Sequence, residues 1–221
     1  MRRLLRENGL SIVWLGLFFV TLIFGQSVVG QREYNNDQKE HGQPQVTYVE
    51  YMQSAHFVEA TMENWESEFL QMFLYILLTA YLYQKGSSES RKLDGENPQD
   101  RDPRKSRDNP DAPWPVRKGG LVLKLYESSL ALAFLLLFLV SFWLHAVGGH
   151  WEYNEEQLQH GQTTVTVLGY MGTSRFWFES FQNWQSEFLA IWCMVVFSIW
   201  LRQRRSPESK PVDSPHSETG T

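Results

Sequence analysis

The chain has 221 residues with a formal charge of −5, 43% hydrophobic residues and one cysteine. The lone Cys193 excludes an intrachain disulfide and a cysteine-built zinc or iron–sulfur site, and the acidic balance argues against nucleic acid as a partner. A mean hydropathy of −0.36 looks soluble, but it averages very apolar segments with long polar ones.

Four segments contain no Asp, Glu, Lys or Arg: Asn8 to Gln31, Phe69 to Gln84, Ser128 to Trp151 and Phe188 to Leu201. A bilayer core of about 30 Å needs about 20 helical residues at roughly 1.5 Å each, so the first and third span with ease. The second and fourth are short and need their flanks to finish the crossing. Trp65, Trp184, Tyr81, Tyr83 and Trp200 suit the interfaces, and Arg202 can snorkel. Arg2, Arg3 and Arg6 ahead of the first segment resemble a secretory signal, yet the third segment holds the matching place deep in the chain, which favours a retained helix.

That match is part of a duplication. Residues 30–70 and 149–189 align at a constant offset without a gap, and 19 of the 41 pairs are identical. Among them are Glu33-Tyr34-Asn35 with Glu152-Tyr153-Asn154, and His41-Gly42-Gln43 with His160-Gly161-Gln162. Asn64-Trp65 and Ser67-Glu68-Phe69-Leu70 recur as Asn183-Trp184 and Ser186-Glu187-Phe188-Leu189. The expected fold is all-α: an integral membrane four-helix bundle made of two tandem two-helix repeats with helical extracytoplasmic loops. The first repeat, 1–85, has spans at about 9–30 and 65–84 around an outside loop, 31–64. The second, 121–205, has spans at about 128–149 and 184–201 around loop 150–183. Two spans per copy make both copies enter in the same sense, related by a pseudo-twofold axis along the membrane normal.

Within the first loop, Glu33 to His41 favours helix and Gly42 followed by Pro44 signals its end. Thr47 and Glu50 have the spacing of a capping box that starts a short helix; the second copy keeps Thr166 but has Gly169 in place of the glutamate. Residues 86–120 and 206–221 hold almost nothing apolar to bury, so the expectation is a disordered linker and a disordered tail.

Basic residues set the orientation. The charged stretches between the apolar segments, 32–68 and 152–187, carry 3 basic and 13 acidic residues, a charge of −10, while the remainder carries 17 basic and 12 acidic, +5. Both termini and the linker are therefore expected in the cytoplasm and both loops outside, presenting an acidic face to cations or basic partners.

Two sets of repeated residues are candidates for chemistry. Glu68 and Glu187 sit one helical turn beyond Asn64 and Asn183, at the doorstep of short spans, with Trp65 and Trp184 as interfacial anchors. Paired across the axis, the carboxylates would share a proton or bind a cation; the plainer reading is a helix end anchored by Trp and a hydrogen-bonded acid. His41 and His160, with Glu33, Gln38, Glu152 and Gln157 nearby in sequence, offer a donor set for a divalent cation, or simply cap the helices they end. Ser67 and Ser186 lack the glycine elbow of a nucleophile, no phosphate-cradling loop is present, and the span histidine His145 faces Gln26 in the other copy, so no haem pair forms. No catalytic residue and no cofactor is expected.

The runs Arg6-Glu7-Asn8-Gly9-Leu10-Ser11, Glu40-His41-Gly42-Gln43-Pro44, Glu63-Asn64-Trp65-Glu66-Ser67-Glu68-Phe69-Leu70 and Gln84-Lys85-Gly86-Ser87-Ser88-Glu89-Ser90 resemble a family of bacterial four-span membrane proteins catalogued as a domain of unknown function. The resemblance implies a multi-pass protein of the bacterial inner membrane and carries no activity or site with it. The expected role is a non-enzymatic platform whose outside loops bind a cation, another membrane or envelope protein, or a second copy. A small proton/cation transporter or channel is the alternative, and a membrane redox enzyme a third.

Overall fold

The computed structural model describes residues 2–220, and among them there is helix, turn and irregular chain but no strand. Helix α1, Arg2–Val20, bends at Asn8, where φ is −128°, just ahead of the apolar run. It continues through a π-helical stretch, Thr21–Val29, into α2, Gly30–Glu40. The wider π turns are marked by Ser27, whose buried hydroxyl donates to the carbonyl of Leu22 five residues back, 2.7 Å away. Short α3, Tyr48–Met52, precedes α4, Ala55–Thr79. After α5, Trp114–Lys118, and α6, Gly120–Glu127, comes the long α7, Ser129–Gln159, then short α8, Val167–Met171, and α9, Ser174–Phe197.

Among the described residues, two helices are long and apolar enough to cross a membrane: the continuous Leu5–Glu40 and α7. Most of their large apolar side chains, such as Leu10, Trp14, Phe24, Leu136 and Leu139, are exposed. The expected spans 65–84 and 184–201 do not meet this measure. α4 stops at Thr79 and α9 at Phe197, and the part of each ahead of Phe69 or Phe188 carries acids. The apolar helix from Phe69 to Thr79 covers only about 16 Å at about 1.5 Å per residue.

The described residues form two compact units, Met1–Met62 with Leu144–Thr173, and Glu63–Trp143 with Ser174–Thr221. In the first, the core is built on Tyr51, Tyr170, Ala146 and His145, all at most 1% exposed. Tyr51 and Tyr170 are equivalent in the duplication, and each lies against an equivalent glycine, Gly30 or Gly149, where a Cβ would overlap the tyrosine hydroxyl. The capping box at Thr47 forms as its spacing predicts. The Thr47 amide donates to Glu50 Oε2 at 2.6 Å, which holds the Glu50 carboxyl below its ordinary range, and the Thr47 hydroxyl accepts from the Glu50 amide. Thr166 caps α8 in the same way through the Gly169 amide, 3.1 Å.

In the second unit the duplication extends beyond the 41 aligned positions. Gln84 to Ser90 and Gln203 to Ser209 fold into the same turn. The Gln84 and Gln203 amides each donate to the Ser90 or Ser209 hydroxyl at 2.9 Å, and the Glu89 and Glu208 amides to Ser87 or Ser206, 3.1 and 3.2 Å. Gly86 and Arg205 take the same left-handed position, φ +87° and +73°. Residues 86–120, expected as a disordered linker, carry helical turns at Pro98–Asp100 and Pro103–Ser106 as well as α5. The expected tail is tied down by Lys210, 1% exposed, whose three ammonium N–H groups are shared among the carbonyls of Gly86, Glu218, His216 and Pro215. Backbone carbonyls, rather than apolar side chains, organise this segment.

Candidate functional site: an acidic cleft with three histidines

α2 and the end of α7, both in the first unit, line a cavity of about 600 Å³. Tyr34, Asp37, Gln38 and His41 contribute from α2 at spacings of three and four, which place them on one helix face. Glu152, Glu155, Glu156 and Gln159 do the same from α7, with His160 at its end and His56 from the start of α4. Four carboxylates and three imidazoles thus face one space.

Each helix is stopped beside the cleft by the same device. His41 is followed by Gly42 at φ +70°, and the amides of Gly42 and Gln43 return to the carbonyls of Lys39 and Gln38, 3.2 and 2.7 Å. His160-Gly161-Gln162 repeats this with φ +68° and bonds to Leu158 and Gln157, 3.1 and 2.7 Å. The left-handed residue closes the helix, and glycine adopts it without strain. Both histidines then turn Nδ1 onto a carbonyl of the last turn, Asp37 at 2.9 Å and Glu156 at 2.8 Å. A carbonyl only accepts, so Nδ1 carries the proton, and a neutral ring keeps its lone pair on Nε2, the atom that meets a cation.

Return of the loop is fixed by a second repeated device. Asn35 donates to the Val46 carbonyl at 2.9 Å and accepts its amide at 2.8 Å; Asn154 and Val165 match this at 2.9 and 2.9 Å. Tyr34 stacks near Tyr51 and His56, with ring centres 5.6 and 5.4 Å apart.

The field in the cleft is negative. Burial raises the Tyr34 phenol above its ordinary value of 10.0, and the charges of Glu155, Glu152 and Asp37 raise it further against a hydrogen bond from Gln38. Tyr51 is raised by burial and by Glu152. An unfolded chain therefore releases these protons first as pH climbs past about 10, so their contribution to stability is full below pH 10 and declines above it. Alkaline melting curves should show this decline in wild type and a flatter profile in the Tyr34→Phe, Tyr51→Phe double variant. Parallel curves would refute the assignment.

Of the residues singled out from sequence, His41, His160, Gln38 and Glu152 line the cleft, whereas Glu33 and Gln157 do not. Glu68 and Glu187 lie in the second unit; Glu68 is exposed and Glu187 half-buried, with the Gln71 amide donating to the Glu187 backbone carbonyl at 2.9 Å. The anchors Asn183 and Trp184 instead serve acids found in only one copy. Asn183 donates to Glu63, and the Trp184 indole donates to the fully buried Glu66 at 3.0 Å, where the second copy has Gln182 and Gln185. Among the described residues, no group of three acidic, histidine or cysteine ligands close enough to grip one bare ion includes His41, His160, Glu68 or Glu187. The cleft is wide enough for a cation that keeps its water.

Sequence reading passed over Glu59. It is 7% exposed, accepts the Tyr170 hydroxyl at 3.4 Å and has an oxygen within 4.8 Å of a ring nitrogen of His145. Gly148 and Gly149 leave room for it, since a Cβ at either would lie 2.7 Å from a Glu59 atom. The available signal was an acid 10 residues ahead of an apolar run, in register with Phe178 of the other copy.

No curated protein and no solved structure matches the chain. One family matches it from residue 1 to residue 221, and the chain belongs to that family, described as Domain of unknown function (DUF6766).

Proposed function

We propose that the protein is a non-enzymatic, multi-pass platform of a bacterial inner membrane whose acidic outside cleft binds a hydrated divalent cation or the basic group of a partner protein. The observation that carries this reading is Glu152. Its Oε2 is buried without a hydrogen-bond partner among the described residues, in the wall of a cleft that also holds Asp37, Glu155 and Glu156. A buried carboxylate oxygen without a donor is costly, and a cation is the group that would satisfy it. Four crossings complete the topology, with α4 and α9 finished by their Trp and Tyr flanks and both termini in the cytoplasm. A second reading, a small proton/cation transporter or channel, draws on the buried Glu59 and His145 at the outer end of an apolar span.

Fusion reporters test the orientation on which both readings depend. Alkaline phosphatase placed after Gly42 or Gly161 should be active, and green fluorescent protein after Gly86 or at the C-terminus should fluoresce. Fluorescence of a fusion at Gly42, with inactive phosphatase there, would overturn it.

A further inference from the structure

The second unit contains two cavities that share three residues, and their linings are chemically opposite. One, about 480 Å³, is walled by Leu74, Leu78 and Leu82 from α4 and its exit and by Phe188, Ile191 and Val195 from α9. These positions recur at three to four residues, so each helix presents one apolar face to the slot. Thr79, Glu89 and Ser90 close one end of it and also line the second cavity, about 520 Å³, which holds Arg91, Lys92, Asn97 and Asp100. Both volumes fall within the roughly 300–1,000 Å³ usual for small-ligand sites.

We propose that the paired cavities bind one phospholipid with a primary-amine, zwitterionic headgroup, its acyl chain in the apolar slot and its headgroup in the charged cavity. Charge balance selects the headgroup. Arg91 and Lys92 face Glu89 and Asp100, two positive and two negative groups, which matches a phosphate joined to an ammonium better than a net anion. Arg91 is already positioned: Asp100 and the Tyr83 hydroxyl hold its terminal nitrogens, while its Nε is buried with no hydrogen-bond partner among the described residues. A phosphate oxygen would accept from that Nε and from the Lys92 ammonium. Glu89, held by the Tyr75 and Ser88 hydroxyls, is the acceptor for the lipid ammonium, whose three N–H groups a trimethylated choline lacks. The equivalent turn of the second copy supports the assignment by contrast. Its cavity, about 390 Å³, is lined by Gln203 to Ser206 and Ser209 to Asp213, with Val212 the main apolar residue and no helix face alongside. The turn of the first copy shares Thr79, Glu89 and Ser90 with the apolar slot.

This inference rests on the membrane reading, and the test separates their failures. The full chain is recovered from the membrane fraction, purified in detergent and examined by native mass spectrometry with phosphatidylethanolamine, phosphatidylcholine or phosphatidylglycerol added at equal concentration. A one-to-one adduct with phosphatidylethanolamine should persist at least about tenfold better than either of the others, the ratio expected for one charge-assisted hydrogen-bonding group. Glu89→Gln, which keeps the shape of the side chain and removes the charge that accepts the ammonium, should erase the preference, and Leu78→Trp should remove the adduct by filling the slot. Equal retention of all three lipids, or a preference unchanged in Glu89→Gln, would overturn the lipid site while leaving the membrane reading in place. Recovery of the chain in the soluble fraction would overturn both.

Discussion

Replacing Gly148 with alanine should cost about 1–3 kcal/mol of stability, the usual penalty for overpacking, and valine should prevent folding. The added Cβ would sit 2.7 Å from the Glu59 amide nitrogen and 3.0 Å from its Cα. These are backbone atoms in α4, so no rotamer change relieves the overlap and the helices must part. Gly16, also in a long apolar helix, provides the control. Nothing lies within 4 Å of a Cβ there, and alanine should be neutral or stabilising by up to about 1 kcal/mol, since it is the better helix former. Thermal unfolding of the detergent-solubilised variants, followed by circular dichroism, reads both. Equal melting of Gly148→Ala and Gly16→Ala would refute the close approach of α4 and α7 within the first unit.

Asn35→Ala and Asn154→Ala should each cost about 2 kcal/mol, because each removes two hydrogen bonds of the clamp and leaves the Val46 or Val165 amide without its acceptor, while the carbonyl keeps Gln31 or His150. The duplication makes the stronger statement that the two losses should be similar, since the bonds to Val46 and Val165 match within 0.1 Å. A double variant should lose roughly the sum if the clamps act independently. Unfolding of wild type, both singles and the double measures this. A large loss for one asparagine and none for the other would show that the copies are not equivalent in energy.

What was legible in the sequence were the local signals. The glycine stops at Gly42 and Gly161, the caps at Thr47 and Thr166 and the helices through Asn64 and Asn183 all depend on a few adjacent residues, and all form. Repetition was a good guide to structure and a poor guide to buried chemistry. Asn35 and Asn154 repeat because they clamp loops, whereas Glu59, His145, Gly148 and Glu66 face Phe178, Gln26, Val29 and Gln185 in the other copy. A search confined to identical pairs finds Glu152 but misses these four, which lie where the copies diverge. The short spans and the linker depend on more than local signals. Composition records how much apolar surface a segment can bury, but not where α4 ends, nor that one lysine can gather four carbonyls around it.

The most direct test of the cleft is the binding of Mn²⁺, and separately of a short lysine-rich peptide, to the purified protein by titration calorimetry at low salt. The wild type should bind at least one of the two. Changing Glu152, Glu155 and Glu156 together to Gln keeps side chains of the same shape and removes three charges from the wall. That binding should then be lost, and in wild type it should weaken as salt screens the charges. A Glu68→Gln, Glu187→Gln double variant should bind as wild type does. Binding unchanged in the triple variant, or abolished in the Glu68, Glu187 pair instead, would contradict the assignment of cation binding to the cleft between α2 and α7.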